Sequence, residues 1–407
     1  MDPVWLLLLL PVAATSGWIA AKGIRLSWHN YRGSKPTSDY YRGLNYLLNE
    51  QPDKAIEAFM RVLEVDTDTV EMHMALGNLY RRRGELERAT RIHQNLVARK
   101  DLDNQLRFQA LDELAQDYLK AGLFDRAESL LLELAEVDDH QIAALENLRH
   151  IYEQEKEWRS AISVVSKLSS FSGESNSDVI AQYWCEMAES ALTQGQYWDA
   201  GHFAEEALKE DSRLVRATLQ LGRIQAMAGR HEKAITIWQS IHQQNPEMLG
   251  EAIELIVSSF KFLDDGDGLK EYLVGMVGES SDVRLPLALA DLNACEQGGD
   301  PEQALLDWIR EHPSIRCLQR VIQLRLERAD DKDVRDLNLL DRMIGEVVDR
   351  ESSYECEECG FTGKNLHWQC PGCQRWNSVR LKRPRSRAQN TFLGNENSQL
   401  PGTSASS

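Results

Sequence analysis

Four of the seven cysteines in this 407-residue chain stand in one short segment, as Cys356-Glu-Glu-Cys359 and Cys370-Pro-Gly-Cys373. Two C-x-x-C pairs can each fold into a tight knuckle, and two knuckles bring four thiolates into the tetrahedral shell that zinc or iron accepts. Gly360 after the first pair and Pro371-Gly372 inside the second are residue types that such turns use. Tyr354, Phe361, Trp368 and Trp376 supply apolar material. A module of about 30 residues cannot hold itself together by burial alone, so the metal is expected to hold it. One Fe or Zn ion is therefore the expected cofactor, with Cys356, Cys359, Cys370 and Cys373 as its ligands. His367 is not needed, because four thiolates complete the shell. Zinc against iron stays open on spacing alone.

No other constellation carries chemistry. The chain has no His-Glu-x-x-His, no phosphate-binding glycine loop and no serine nucleophile elbow, so no catalytic residue is assigned and a non-enzyme is expected. Asp264-Asp265-Gly266-Asp267-Gly268 suggests a calcium loop. However, position 12 counted from Asp264 is Gly275 where a bidentate Glu is required, so the run reads as a turn between helices. Cys185, Cys295 and Cys317 are scattered over helical segments and read as small buried apolar residues.

The elements that must present the cysteine module are periodic. Ala55, Ala89, Ala127, Ala161, Ala200, Ala234 and Ala304 recur at intervals of 34, 38, 34, 39, 34 and 70 residues. Gly43, Gly77 and Gly222 precede three of them by twelve residues, where two helices must approach closely. Tyr46, Tyr80, Tyr118 and Tyr152 precede the first four alanines by nine, and turn glycines (Gly84, Gly122, Gly195, Gly229, Gly299) precede five of them by five. This pattern resembles the tetratricopeptide repeat, a helix–turn–helix of 34 residues whose units stack to bury a shared core. The resemblance implies eight or nine units in a right-handed superhelix, with a degenerate unit near 250–282 and a last helix pair over 314–349. The signature residues serve packing. Partner contacts are expected on the inner face built by the first helices, where Asn78, Arg81, Arg82 and Arg223 are the candidate partner-binding residues.

Residues 3–21 carry no charge and include five consecutive leucines. Nineteen helical residues span about 28 Å, close to a bilayer core. Only Asp2 is charged before the run, whereas Lys22, Arg25, Arg32 and Lys35 follow it. That asymmetry argues against a cleaved signal peptide and orients an uncleaved anchor with its N-terminus outside and everything beyond residue 22 in the cytoplasm. A reducing cytoplasm in turn favours a metal site over disulfides. The expected organisation is an anchor (1–21), a basic linker (22–38), the repeat array (39–349), the metal module (350–379) and a basic, then polar, disordered tail (380–407). The expected fold class is all-α: a tetratricopeptide-repeat superhelical solenoid with one N-terminal transmembrane helix and a small C-terminal four-cysteine metal-binding knuckle module.

Charge follows the same division. The total of -18 separates into +3 for residues 1–38, -23 for 39–350, -2 for 351–379 and +4 for 380–407. An acidic body does not bind nucleic acid over its whole surface and is repelled by anionic lipid.

The cysteine segment resembles a rubredoxin-type metal module, departing from it in having Gln374 where a second glycine is common. The order of parts resembles the lipopolysaccharide assembly protein B family of Gram-negative bacteria. The residues carrying this are the segment 7–14, Leu76-Gly77-Asn78-Leu79, Arg91-Ile92-His93-Gln94, the segment Ala121–Glu128 and Cys356–Cys373. The resemblance implies an inner-membrane adaptor that regulates lipopolysaccharide biosynthesis. Its implied partners are the membrane-bound AAA+ protease FtsH, the deacetylase that commits precursors to lipid A, and other lipopolysaccharide assembly and transport proteins. It leaves direct contact with lipopolysaccharide and a homodimer open. Two alternatives remain on the residues alone: a rubredoxin-like electron-transfer protein, and a nucleic-acid-binding zinc ribbon on a scaffold. The four acidic and two basic side chains of 351–379 speak against the second.

Overall fold

The computed structural model describes residues 38–382, apart from 50, 66–69, 174, 281, 296–299 and 331–332. The expected anchor (residues 3–21) and most of the tail lie outside the described residues. Among the described residues, no helix is long and apolar enough to cross a membrane.

The described chain forms two compact units, divided between Glu155 and Lys156. In the first, α1 (Ser38–Leu48), α2 (Pro52–Val65), α3 (Val70–Arg82), α4 (Leu86–Val97), α5 (Asn104–Lys120), α6 (Phe124–Leu134) and α7 (Gln141–Glu155) pack on their sequence neighbours. The second unit contains α8 (Trp158–Ser172), α9 (Ser177–Thr193), α10 (Tyr197–Glu210), α11 (Val215–Met227), α12 (His231–Gln239) and the short α13 (Ile241–Gln244). It continues with α14 (Gly250–Leu263), α15 (Gly266–Val277), α16 (Arg284–Cys295), α17 (Pro301–Glu311), α18 (Ile315–Leu326) and α19 (Val334–Arg350). This is the all-α repeat architecture that the alanine spacing predicts.

The signature residues do the packing assigned to them. Ala55, Ala89, Ala127, Ala161, Ala200 and Ala234 are fully buried. A Cβ on Gly43, Gly77 or Gly222 would overlap the ring of Phe59, His93 or Trp238, each four residues beyond the repeat alanine. A basic residue preceding the alanine lies over the repeat tyrosine in three successive units: Lys54 over Tyr46, Arg88 over Tyr80 and Arg126 over Tyr118, at 5.5–5.8 Å. Five residues before Ala89, Ala127, Ala200 and Ala234 the turn takes a left-handed residue, supplied by Gly84, Gly122, Gly195 and Gly229; Lys156 adopts the same conformation before Ala161, and Asp264 before α15, without being glycine. Asp264 ends α14, and Asp265 Oδ1 then accepts from the Gly268 amide at 2.9 Å to start α15, so the aspartate-rich run is an inter-helix turn. Cys185 and Cys317 are buried, and desolvation pushes the Cys185 thiol up to about 12, as suits an unreactive packing residue.

The C-terminal module adds a three-stranded antiparallel sheet, in the order β2-β1-β3, from β1 (Tyr354–Cys356), β2 (Thr362–Gly363) and β3 (Val379–Leu381). Tyr354 pairs with Gly363 on one side and Leu381 on the other. The module therefore extends past residue 379. Arg380 and Leu381, assigned to the tail on composition, complete the sheet because β1 offers them a ladder edge.

Candidate metal centre and its docking face

Both knuckles are built by the same backbone bonds. The Cys356 amide donates to the Phe361 carbonyl (2.7 Å) and the Gly360 amide to the Cys356 carbonyl (3.0 Å). The Cys370 amide donates to the Arg375 carbonyl (2.9 Å) and the Gln374 amide to the Cys370 carbonyl (2.8 Å). The residue after each pair must take positive φ, which Gly360 does at +72° and Gln374 at +59°. The glycine common at the second position is thus a conformational requirement, which Gln374 meets under strain.

The four sulfurs lie within 4.8 Å of one another, with Cys356 Sγ 3.8 Å from Cys373 Sγ and Cys359 Sγ 3.6 Å from Cys370 Sγ. A tetrahedron with metal–sulfur bonds near 2.3 Å has edges of about 3.8 Å, so the cluster fits one ion. Its electrostatics point the same way. A hydrogen bond with the Ser378 hydroxyl lowers the Cys356 thiol to about 6. At Cys359 the Phe361 backbone lowers the pKa, but desolvation and the three neighbouring thiols outweigh it and push it to about 12. Four thiols this close cannot all ionise without a cation among them. His367 stacks edge-on to Phe361 at 5.8 Å, a packing role.

The module is seated on the first helices of the second unit. Trp376 stands edge-on to Tyr183 (6.0 Å) and Trp158 (6.4 Å). The Arg216 guanidinium lies 5.9 Å from the ring centres of both Trp368 and Trp376. Gln182 donates to Asn377 Oδ1 (2.6 Å) and accepts from Arg216 (2.9 Å), which also pairs with Glu186 at 2.6 Å. Further along, the Tyr354 hydroxyl donates to Glu251 (2.5 Å) and Arg316 donates to Ser353 Oγ (2.7 Å). Leu366 and Trp368 pack against the core of α11, α12, α14, α15 and α16.

Arg284 organises the middle of this face. It pairs with Glu251 and, through two nitrogens, with Asp282. Desolvation works against its charge, but Asp282 and Glu251 outweigh it and hold the guanidinium above its ordinary value. Gly250 makes room for this fork, because a Cβ there would overlap Asp282 and Arg284. The Tyr354 hydroxyl is raised to about 12, first by burial and then by Glu251.

Gln182, Arg216, Glu251, Arg284 and Arg316 fall on five successive first helices at intervals of 34, 35, 33 and 32 residues. They form the docking face, and sequence reasoning missed them. Their shared repeat offset was the available signal, but it leads no further without knowing that the chain's own module occupies the face. Of the residues expected to meet partners, Asn78 donates to Glu113 at 2.8 Å. Arg81 pairs with Glu113 and Asp117, which ties α3 to α5. Asp117 in turn lies 2.6 Å from Nδ1 of the buried His93. Arg82 and Arg223 are exposed.

Residues 354–380 match the family described as "Rubredoxin metal binding domain". Residues 40–101 and 185–247 match the tetratricopeptide repeat family. The chain is 32% identical over 377 residues to the lipopolysaccharide assembly protein B of Escherichia coli K12, covering 92% of this chain and 97% of that protein. It is 31% identical over 388 residues to the protein of the same name from Haemophilus influenzae, with the same coverage of each. With array and knuckle matched in order over nearly the whole length, the chain belongs to the lipopolysaccharide assembly protein B family.

Proposed function

We propose that this chain is a non-enzymatic adaptor in lipopolysaccharide assembly, held at the bacterial inner membrane by residues 3–21 with the repeats and the metal module in the cytoplasm. The observation that carries the reading is the near full-length match to relatives named for lipopolysaccharide assembly. In the finer form of the proposal, the chain brings the deacetylase that commits precursors to lipid A to the membrane protease FtsH and so limits synthesis. The uncharged run at 3–21, with its basic flank, supports the anchoring. Anchoring would raise the local concentration of membrane-bound partners without any new contact.

The metal would fix the knuckle fold. The chain's own residues then set where the module lies: Arg216, Gln182 and Glu251 hold it on the first helices, ordering a face that repeat proteins ordinarily offer to partners. The test is complementation of a Gram-negative strain depleted of its own relative. The full chain should restore growth and shorten the half-life of the deacetylase in a protease-dependent manner, whereas Cys356→Ser and a chain lacking residues 1–21 should not. A full chain that is present in the membrane fraction yet leaves that half-life and lipopolysaccharide content unchanged would sink the proposal.

A further inference from the structure

Between the second helices of the first two repeats, α2 and α4, a cavity of about 490 Å³ opens over α3. Leu76 and Tyr80 form its floor, with Ile92 half-buried beside them and Met60 exposed on the α2 side. Arg88, Arg91 and Asn95 stand exposed along the α4 rim, and no acidic side chain among the described residues lines the cavity. Arg88, Arg91, Ile92 and Asn95 have the i, i+3, i+4, i+7 spacing of one helix face. That face flanks the stripe that packs the repeat, whose buried members are Ala89, His93 and Leu96.

Two features set this groove apart from ordinary repeat surface. Residues 80–100 hold seven Lys/Arg against two Glu, inside an array of -23. Two residues beyond the repeat alanine, the other alanine-marked units carry Glu57, Ser129, Ser163, His202, Thr236 or Leu306, and only this one carries an arginine. Arg88 is held over the Tyr80 ring at 5.5 Å and by Glu85 at 2.7 Å, whereas Arg91 makes no ion pair among the described residues. Repeat packing therefore does not require Arg91, and its charge stands at the groove unanswered.

We propose that this groove takes a short acidic segment of a partner protein, with one or two large apolar side chains resting on Met60, Leu76 and Ile92 and a flanking carboxylate paired with Arg91. Charge and size choose the occupant. A groove of one sign suppresses like-charged partners, and this chain's own ends are basic, +3 for 1–38 and +4 for 380–407, so neither fits. From Arg88 to Asn95 the rim runs about 10 Å, shorter than the about 15 Å that a lipid chain spans in half a bilayer core. An apolar side chain with carboxylates beside it fits that length. The groove goes beyond the proposed function and does not rest on it, so an unchanged deacetylase half-life leaves it standing.

The test uses the full chain in membranes of a Gram-negative host, with a photoreactive phenylalanine analogue in place of Asn95 or, as control, Lys120. Irradiation at Asn95 should give a discrete adduct with another protein, and the cross-linked segment should carry more Asp and Glu than Lys and Arg around a large apolar residue. Arg91→Glu and Met60→Asp, both at exposed positions, should each lower the adduct about tenfold, whereas Lys120→Glu should not. The same segment, as a synthetic fluorescent peptide, should bind the purified chain in anisotropy and bind more weakly as salt rises. Exchanging its carboxylates for lysines should abolish binding to the parent chain and restore it to Arg91→Glu. Unchanged helicity and Tm in the variants separate lost binding from lost folding. Four outcomes overturn the proposal: no adduct above the Lys120 level, an adduct on lipid, nucleic acid or a second copy of the chain, a cross-linked segment that is not acidic, or a folded Arg91→Glu chain that keeps its adduct.

Discussion

Arg216→Ala gives the sharpest test of how the metal module is held. Arg216 is 6% exposed, donates to Gln182 and Glu186, and faces the rings of Trp368 and Trp376. A hydrogen bond from a charged donor contributes about 1.5–3 kcal/mol. Each cation–π contact adds about 0.5–2 kcal/mol, the upper end applying where water is excluded. Breaking a buried ion pair costs about 3–5 kcal/mol, but Glu186 keeps 28% exposure, so the lower end applies. These contributions share one side chain and do not add. A net loss of about 3 kcal/mol follows, or about a hundredfold in the docked-to-undocked ratio. Hydrogen exchange followed by mass spectrometry over residues 364–378 reads that ratio directly. Arg216→Ala should exchange about a hundredfold faster there while the helices of the first unit keep their protection. Arg216→Lys should recover less than half of the loss, because an ammonium lacks the planar fork that donates to Gln182 and Glu186 at once while facing both indoles. Protection over 364–378 within twofold of the parent chain in Arg216→Ala, or full recovery by lysine, would refute the reasoning.

Other expectations follow from single features. Gln374→Gly should relieve the left-handed backbone strain at φ +59°, stabilise the module by about 1 kcal/mol and slow metal transfer to a chromophoric chelator several-fold. Gly222→Ala should displace the Trp238 indole and cost about 1–3 kcal/mol, read as a lowered Tm of the second unit, with Gly266→Ala, where a Cβ meets open space, as the control. Chelating the metal, or Cys370→Ser, should unfold residues 354–381 and release Trp376 from Tyr183 and Trp158, read as a red-shifted tryptophan emission; unchanged emission after complete metal removal would contradict it. The raised Tyr354 pKa means the folded state holds that proton more tightly than the unfolded chain. Its contribution is therefore complete below the ordinary tyrosine value near 10 and is lost as pH rises through about 12. Ultraviolet titration should show late-ionising tyrosines of which Tyr354→Phe removes one, leaving Tyr272, which burial also pushes up to about 12.

The amino-acid sequence by itself determined the parts. Repeat alanines, glycines and tyrosines recur at fixed offsets because each is chosen by the closest approach of two helices, a local demand that a linear spacing records. The four cysteines are equally legible, since a C-x-x-C knuckle is closed by bonds spanning only four or five residues. Tertiary structure alone decided where those parts meet. Arg216 and Trp376 are 160 positions apart, Glu251 and Tyr354 103, and no local rule couples them. The same limit explains why Asn78 and Arg81 looked available: on a helix surface a polar residue facing a partner and one facing the next repeat are written alike.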